Sequence, residues 1–466
     1  MGISFRDRND PLAGILGKGG KVLVLGLGRS GISAANLLAR MGCRVIVTEK
    51  KEREHVPGGA AIFEPGVEIH WGGHPAELFE KSDLVIVSPG VPTDLAPLAR
   101  SRSRGIPVIG EMELAFRLTT VPWVAVTGSN GKSTTVTLLD LMARLGGVKV
   151  ATGGNLGTPA TSFVEDEKKL DFLIAEVSSF QLETVETFRP RIAALLNLSP
   201  DHLDRYPGMA QYVEAKARVF SLMGSGDTAV FNADDPGTVV IAAAASAEKL
   251  PFSRSSCPGK GVFVEGGCIR IRDGRETREI VSVRSIALTG THNLENSLAA
   301  TAVAWKMGIP ARETAQALRT FGGLEHRMEL VGHFRGVPVY NDSKGTNVGA
   351  TLRSLEGLGG QVILILGGKD KGTPYEPLLE PIQRKVQLLI LLGEAADRME
   401  KSFRGAARIL RVRDLDRAVK EAMKEARHGT EILFSPACSS FDMFSSFEER
   451  GRAFKEAAAK YMEMSG

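Results

Sequence analysis

The stretch WVAVTGSNGKSTT (123–135) restricts the fold more than any other in the chain. WVAVT reads as a buried strand, Gly128 and Gly131 permit a tight turn with positive φ, and a helix opens at Lys132–Ser133–Thr134. That order places successive backbone N–H groups at a helix N-terminus, where an anion is favoured. The phosphate-loop pattern G-x-x-x-x-G-K-[ST] is not met, because Val126 stands where its first glycine belongs. The loop is nevertheless shortened rather than broken. Gly128, Ser129, Asn130 and Gly131 are expected to form a phosphate cradle, with Lys132 against the β/γ-phosphates and a hydroxyl from Ser133 or Thr134 within reach of Mg2+.

The same alternation of strand, turn and helix starts three times. KVLVLGL (21–27), RVIVT (44–48), DLVIVSPG (83–90) and PVIG (107–110) make a first series. The second starts at 123 and continues with strands near 149–152, 172–178, 192–198 and 228–235, a helix near 209–222, a hairpin over 261–285 and a helix over 293–320. The third runs through VPVYND (337–342), VILILGG (362–368), LLILLGE (388–394) and EILFSPA (431–437), with helices near 347–357, 414–427 and 447–463. Alternating strands and helices imply parallel sheets, so an α/β chain of three domains is expected: 1–110, 111–323 and 324–466. The outer two are expected to be Rossmann-like and the central one a P-loop-type ATPase domain.

GLGRSG (26–31) matches G-x-G-x-x-G between a strand and a helix, a context that suits a diphosphate at the helix N-terminus. Glu49 ends the second strand, where enzymes of that shape grip a ribose. The motif points to a diphosphate more than to a nicotinamide. A nicotinamide oxidoreductase would leave the 125–135 loop idle. Net charge is +4, too mild to argue for nucleic acid and suited to small anionic substrates. Four scattered cysteines without a C-x-x-C pair argue against a disulfide framework or a zinc site and fit a reducing compartment. The apolar runs are strand-length, far short of the ~20 residues of a membrane span, so a soluble cytoplasmic protein is expected.

A phosphate loop that uses magnesium needs carboxylate or imidazole ligands near it. Glu176 ends the strand of FLIAEVSS, and His202 follows the strand of IAALLNL within LSPDHLDRY; both belong at the edge where such sheets present ligands. Asp201 and Asp204 read equally well as turn residues, and His202 alone as a capping residue. Lys216, on the helix of QYVEAKARVF, reads by spacing as a solvated surface lysine. Asn293 and Asn296 share one helix face in GTHNLENS and can read a base or bind a phosphate. Arg327 sits just past the second boundary, where an arginine can act on phosphate. Asp342, Ser343, Lys344 and Thr346 end one strand of the third series, while GGKDKG (367–372) and SPACSSFDMF (435–444) end two more. Three polar clusters at strand ends make a binding edge.

In order and spacing these stretches resemble the ATP-dependent Mur ligases of bacterial cell-wall synthesis, whose loop T-G-[ST]-N-G-K-[ST]-[ST] is how 127–134 reads. EVSSFQLE (176–183), DHLDRYPGM (201–209), NDSKGTN (341–347) and SPACSSFDMFSSFEERG (435–451) are similar to the branch that adds D-glutamate, and the resemblance covers essentially the whole chain. It implies an N-terminal domain for a UDP moiety, a central ATPase and a C-terminal domain for the amino acid. ATP would phosphorylate the carboxylate of UDP-N-acetylmuramoyl-L-alanine, and D-glutamate would attack the acyl phosphate.

By resemblance Lys132 and Ser133 bind ATP phosphates and magnesium, Glu176 and His202 are magnesium ligands, and Asn155 contacts the substrate. Lys216 matches a lysine carbamylated in the family, which would let it hold a second magnesium and reverses the surface reading. Asn293, Asn296, Arg327, Asp342 and Lys344 fall on the nucleotide side. Lys344, Thr346, Lys371, Ser440, Phe441 and Phe447 fall on the D-glutamate side, and Arg29, Ser30, Glu49 and Gly90 where UDP is held. A monomer is expected, with no nucleic-acid or membrane partner. Glu49 in place of the commoner aspartate is a departure at the uracil end. A sister ligase or a folylpolyglutamate synthase would keep the central loop but lack SSFQLE and SPACSSFDMF.

Overall fold

Runs such as KVLVL, LVIV and VILILG are apolar at nearly every position, which suits strands covered on both faces. A computed structural model describes residues 5–7, 9–53, 63–155, 157–201, 205–288 and 290–463, which form three sheets. The first contains β1 (Lys21–Leu25), β2 (Arg44–Thr48), β3 (Glu68–His70), β4 (Leu84–Val87) and β5 (Val108–Gly110). All are parallel, in the order β3-β2-β1-β4-β5. Chain direction across the sheet reverses between β1 and β4, so a crevice opens beyond their carboxyl ends.

The second sheet has nine strands: β6 (Trp123–Thr127), β7 (Val150–Gly154), β8 (Phe172–Glu176), β9 (Ile192–Leu195), β10 (Thr228–Asn232), β11 (Glu248–Ser253), β12 (Gly261–Glu265), β13 (Cys268–Asp273) and β14 (Glu276–Ser282). Their order is β14-β13-β12-β11-β10-β9-β6-β8-β7, antiparallel only at β12–β13–β14. β6 therefore lies between β8 and β9, with Val126 beside Glu176 and Thr127 beside Leu195. The third sheet comprises β15 (Glu329–Phe334), β16 (Val337–Asn341), β17 (Gln361–Gly367), β18 (Val386–Leu392), β19 (Arg408–Arg411) and β20 (Thr430–Phe434). Its order is β15-β16-β20-β17-β18-β19, with β15 antiparallel.

The chain divides into two compact units. One holds residues 1–198, 210–286 and 295–320, and with them the first two sheets; the other holds 199–209, 287–294 and 321–466. Within the first unit, helix Glu111–Arg117 is buried at all seven positions. Phe116, Trp123 and Phe188 meet edge to face beside it, with centroids 5.2–5.7 Å apart.

Three local expectations needed revision. The 261–285 region is three strands, not one hairpin, because Gly274 provides a second reversal beyond Gly266–Gly267. The 293–320 helix is two, Thr291–Lys306 and Ala311–Thr320, since Gly308, with φ +79°, turns the chain out of the first and Ile309 N closes it on Ala304 O. The helix near 209–222 ends at Ala217. Among the described residues no helix is long and apolar enough to cross a membrane.

Candidate active site

β6 delivers Thr127 and the glycine turn to the centre of its sheet's carboxyl edge. Gly131 has φ +86° and precedes helix Lys132–Leu145, and a Cβ there would collide with Asn296 Oδ1. The glycine is thus required twice, by the backbone and by the amide packed on it. Asn197, beyond β9, holds the loop by accepting from Asn130 N at 2.9 Å and donating to Asn130 O at 3.1 Å. Ser129 Oγ lies 3.0 Å from the Tyr212 hydroxyl. Lys132 Nζ donates to Gly128 O at 2.8 Å and Ser129 O at 3.1 Å, folded over the turn that it closes. Ser133 and Thr134 are buried at the helix start.

Lys216 is not a surface residue. It is 2% exposed, donates to Gly128 O at 2.9 Å and lies 4.8 Å over the Tyr212 ring. Helix Met209–Ala217 thus returns its last turn to the loop, placing Tyr212 and Lys216 one turn apart on one face. Glu176 is equally buried, at 2% exposure. Its Oε1 accepts from Asn155 Nδ2 at 2.7 Å, while its buried Oε2 has no hydrogen-bond partner. An orphaned carboxylate oxygen costs free energy unless a cation or donor meets it, so Glu176 fits a magnesium ligand. His202 and Asp204 lie outside the described residues. Among those described, no three His, Cys, Asp or Glu side chains gather as a metal site.

In the same unit a cleft of about 610 Å³ opens beyond β1 and β4. Arg29, Ser30, Glu49, Gly90 and Asn155, five residues from four separate stretches, all line it. Gly31 starts the close packing of helix Arg29–Arg40, for a Cβ there would strike Gly26 O. Glu49 Oε2 accepts from Leu27 N at 2.9 Å and Oε1 from Lys51 N at 3.1 Å, so its carboxylate shapes both loops at the crevice. His74 also lines the cleft and meets Thr48 Oγ1 through Nδ1 at 2.8 Å; burial lowers its pKa, leaving a neutral ring at neutral pH. Asn155 reaches from this cleft to Glu176 and joins two sites that the sequence presents 21 residues apart.

The second unit gathers its motifs around one buried arginine. Arg450 is 1% exposed and donates through Nε and Nη2 to Ser343 Oγ and O, and through its Nη groups to Cys438 O and Ser439 O, at 2.8–3.2 Å. Burial lowers its pKa to about 10, which leaves it charged at neutral pH. Ser343 Oγ in turn donates to Phe447 O at 2.8 Å. The 341–347 loop, the 435–444 loop and helix Phe447–Glu463 are therefore pinned together. Lys344 Nζ lies 4.4 Å over the Phe447 ring, Ser440 is buried, and Lys371 and Phe441 are exposed.

Asp342 points inward, accepting from Ser435 Oγ at 2.6 Å, Ser354 Oγ at 2.7 Å and Met328 N at 3.3 Å. Burial raises its pKa against the opposing pull of those donors and of Arg327. His326 and Met328, on either side of Arg327, both have positive φ. His326 is held by Asn341 Nδ2 at 2.9 Å, so the strained turn that presents Arg327 is fixed from behind.

Family models match three successive segments: the Mur ligase MurD-like N-terminal domain at 20–110, the Mur ligase middle domain at 126–304 and the Mur ligase glutamate ligase domain at 326–438. The chain belongs to the Mur ligase family. A UDP-N-acetylmuramoylalanine–D-glutamate ligase of Koribacter versatilis (strain Ellin345) is 42% identical over 450 residues, covering 96% of this chain and 98% of the relative. One from Syntrophotalea carbinolica is 44% identical over 94% of this chain and 97% of its own. Among solved structures, the MurC ligase of Thermotoga maritima matches with a TM-score of 0.60 at 17% identity, over 95% of this chain and 100% of that one. The MurF ligase of the same organism, solved with ADP, gives 0.58 at 17% identity over 96% of both chains.

For this Mur ligase, the sequence pointed to the loop, Glu176 and the cleft-lining residues as candidates, and not to Asn197, Tyr212, His74 or Arg450, which the structure packs beside candidates. Tyr212 had a signal, since it lies one helical turn before Lys216. The others act through the backbone or across long separations, and no local pattern marks them.

Proposed function

We propose that this chain joins D-glutamate to UDP-N-acetylmuramoyl-L-alanine with ATP, giving the amide, ADP and phosphate. What supports the reading most is the hydrogen bond from Asn155 to Glu176, which couples the cleft beyond β1 and β4 to the edge of the phosphate loop. The names of relatives that span nearly the whole chain support the same substrates.

On this reading Arg29, Ser30, Glu49 and Gly90 hold the UDP end, and Asn155 guides the alanyl carboxylate toward ATP. The Gly128–Gly131 turn and Lys132 receive the phosphates, while Asn293, Asn296, Arg327 and Asp342 serve the nucleotide side. Ser133, Glu176, His202 and a carbamylated Lys216 would hold Mg2+, which when bound spreads the phosphate charge. The carboxylate takes the γ-phosphoryl group. The D-glutamate amine then attacks the carbonyl carbon, the C–O bond to phosphate breaks and the amine proton leaves. Lys344 and Lys371 offer cations to the two carboxylates of D-glutamate, with Thr346, Ser440, Phe441 and Phe447 around them. Fixed cations and donors aimed at developing charge are the largest catalytic contribution in such sites.

Lys216→Ala tests the metal side of this reading. Activity should fall by at least ~10²-fold, the scale for loss of an electrostatic group, and return in part with added formate or acetate. Full activity in the variant, or loss that short carboxylates never restore, would count against the carbamate.

A further inference from the structure

Helix Glu111–Arg117 begins with two buried glutamates that make the same contact on opposite sides. Glu111 Oε1 accepts from Thr161 N at 2.7 Å and Thr161 Oγ1 at 2.8 Å. Glu113 Oε1 accepts from Thr187 N at 2.8 Å and Thr187 Oγ1 at 2.7 Å, and also from Arg117 Nε at 2.7 Å. The two carboxylates are 1% and 0% exposed. Glu113 leads on through Arg117 to Glu186 and Asp10, whereas the Glu111 contact leads toward helix Arg29–Arg40. Since the Thr161 hydroxyl gives its proton to Glu111, it must accept from Ser33 Oγ, 2.7 Å away; Ser33 in turn lies 2.9 Å from Ser162 Oγ.

This chain of hydroxyls lies behind the 610 Å³ cleft and ties together two segments that line it. Ser33 lies one turn after Arg29 and Ser30 on helix Arg29–Arg40, so the three share a face. Thr161 stands at the end of the segment that supplies Gly154, Asn155, Gly157 and Pro159 to the opposite wall. The geometry points to Glu111 as a positioning residue that sets the spacing of the cleft walls, and so the placement of the UDP-linked substrate. The inference rests on the reading that this cleft holds that substrate. Glu111 Oε1 accepts whether or not the carboxyl is protonated, so the contact persists across the working pH. Glu111 acts through Thr161 and Ser33 and touches no reacting atom.

Four variants separate positioning from mere support: Glu111→Ala, Glu111→Gln, Ser33→Ala and Glu113→Ala. Each is assayed for kcat and for KM toward UDP-N-acetylmuramoyl-L-alanine and toward ATP, with its Tm. Glu111→Ala should raise KM for the UDP substrate about tenfold or more while KM for ATP stays within about twofold, as expected when only one substrate loses ground-state contacts. Glu111→Gln keeps the acceptor and should restore most of the loss. Ser33→Ala should move the same KM by a few-fold with little change in Tm, which covers the case in which Glu111→Ala folds poorly. Glu113→Ala should lower Tm without splitting the two KM values.

Equal rises in both KM values for Glu111→Ala, the same split in Glu113→Ala, or no recovery with Gln would overturn the inference. Arg29→Ala distinguishes this failure from failure of the cleft assignment. If Arg29→Ala leaves KM for the UDP substrate unchanged, the cleft is not its site. If Arg29→Ala raises that KM and Glu111→Ala does not, only the positioning role falls.

Discussion

His292 shows how a single side chain ties stability to pH. Burial, and then the charges of Arg353 and Arg327, lower its pKa to about 4, whereas an unfolded histidine titrates near 6.5. Between those values the unfolded chain binds a proton that the native state refuses, so stability present above about pH 6.5 is lost as pH falls toward 4. The loss is at most about 3 kcal/mol, and less where solvent reaches the ring. Urea denaturation from pH 7 to pH 4 should show that decline, and His292→Gln should flatten it. An unchanged slope in the variant would assign the acid sensitivity to other groups. The residue scale is also where the sequence was least informative. By spacing Lys216 reads as solvated, yet helix Met209–Ala217 buries it against Gly128 O. Only contacts across 88 residues reveal that, and neither periodicity nor charge pattern encodes them.

At the scale of elements, the sequence was legible where strands are apolar throughout and glycines mark the turns. β1, β4, β6, β17 and β18 were readable for that reason. Short or half-exposed strands such as β3, β15 and β19 were not, because partial burial leaves no unbroken apolar run. Element joints were equally hidden. Arg450 lies in helix Phe447–Glu463 yet binds the carbonyl groups of two distant loops, a task that needs its planar fork. Arg450→Lys keeps the charge and loses the fork, leaving buried carbonyls unpaired. It should cost about 2–4 kcal/mol and, on the proposed reading that these loops bring Lys344 and Ser440 to D-glutamate, raise KM for that substrate roughly tenfold. Thermal unfolding and KM measured separately for D-glutamate and ATP check this. Equal effects on both substrates would mean that Arg450 supports the whole unit rather than the two loops.

At the scale of the molecule, each compact unit carries its own set of candidate site residues. The first holds the phosphate loop, Glu176, Lys216 and the 610 Å³ cleft, and the second holds the loops pinned by Arg450. Three mostly parallel sheets set their polar clusters at strand carboxyl ends, which is why an alternating α/β pattern already indicated where to look. On the proposed reading, the shortened turn after β6 narrows a general nucleotide site toward an ATP-driven ligase, and the cleft coupled through Asn155 would supply the acceptor site. The most direct measurement combines the purified chain with ATP, magnesium and UDP-N-acetylmuramoyl-L-alanine, adding D-glutamate or L-glutamate in parallel, and follows phosphate release and product mass. The account predicts equimolar phosphate and amide with D-glutamate and almost none with L-glutamate. Equal rates with both enantiomers, or phosphate released without amide, would contradict it.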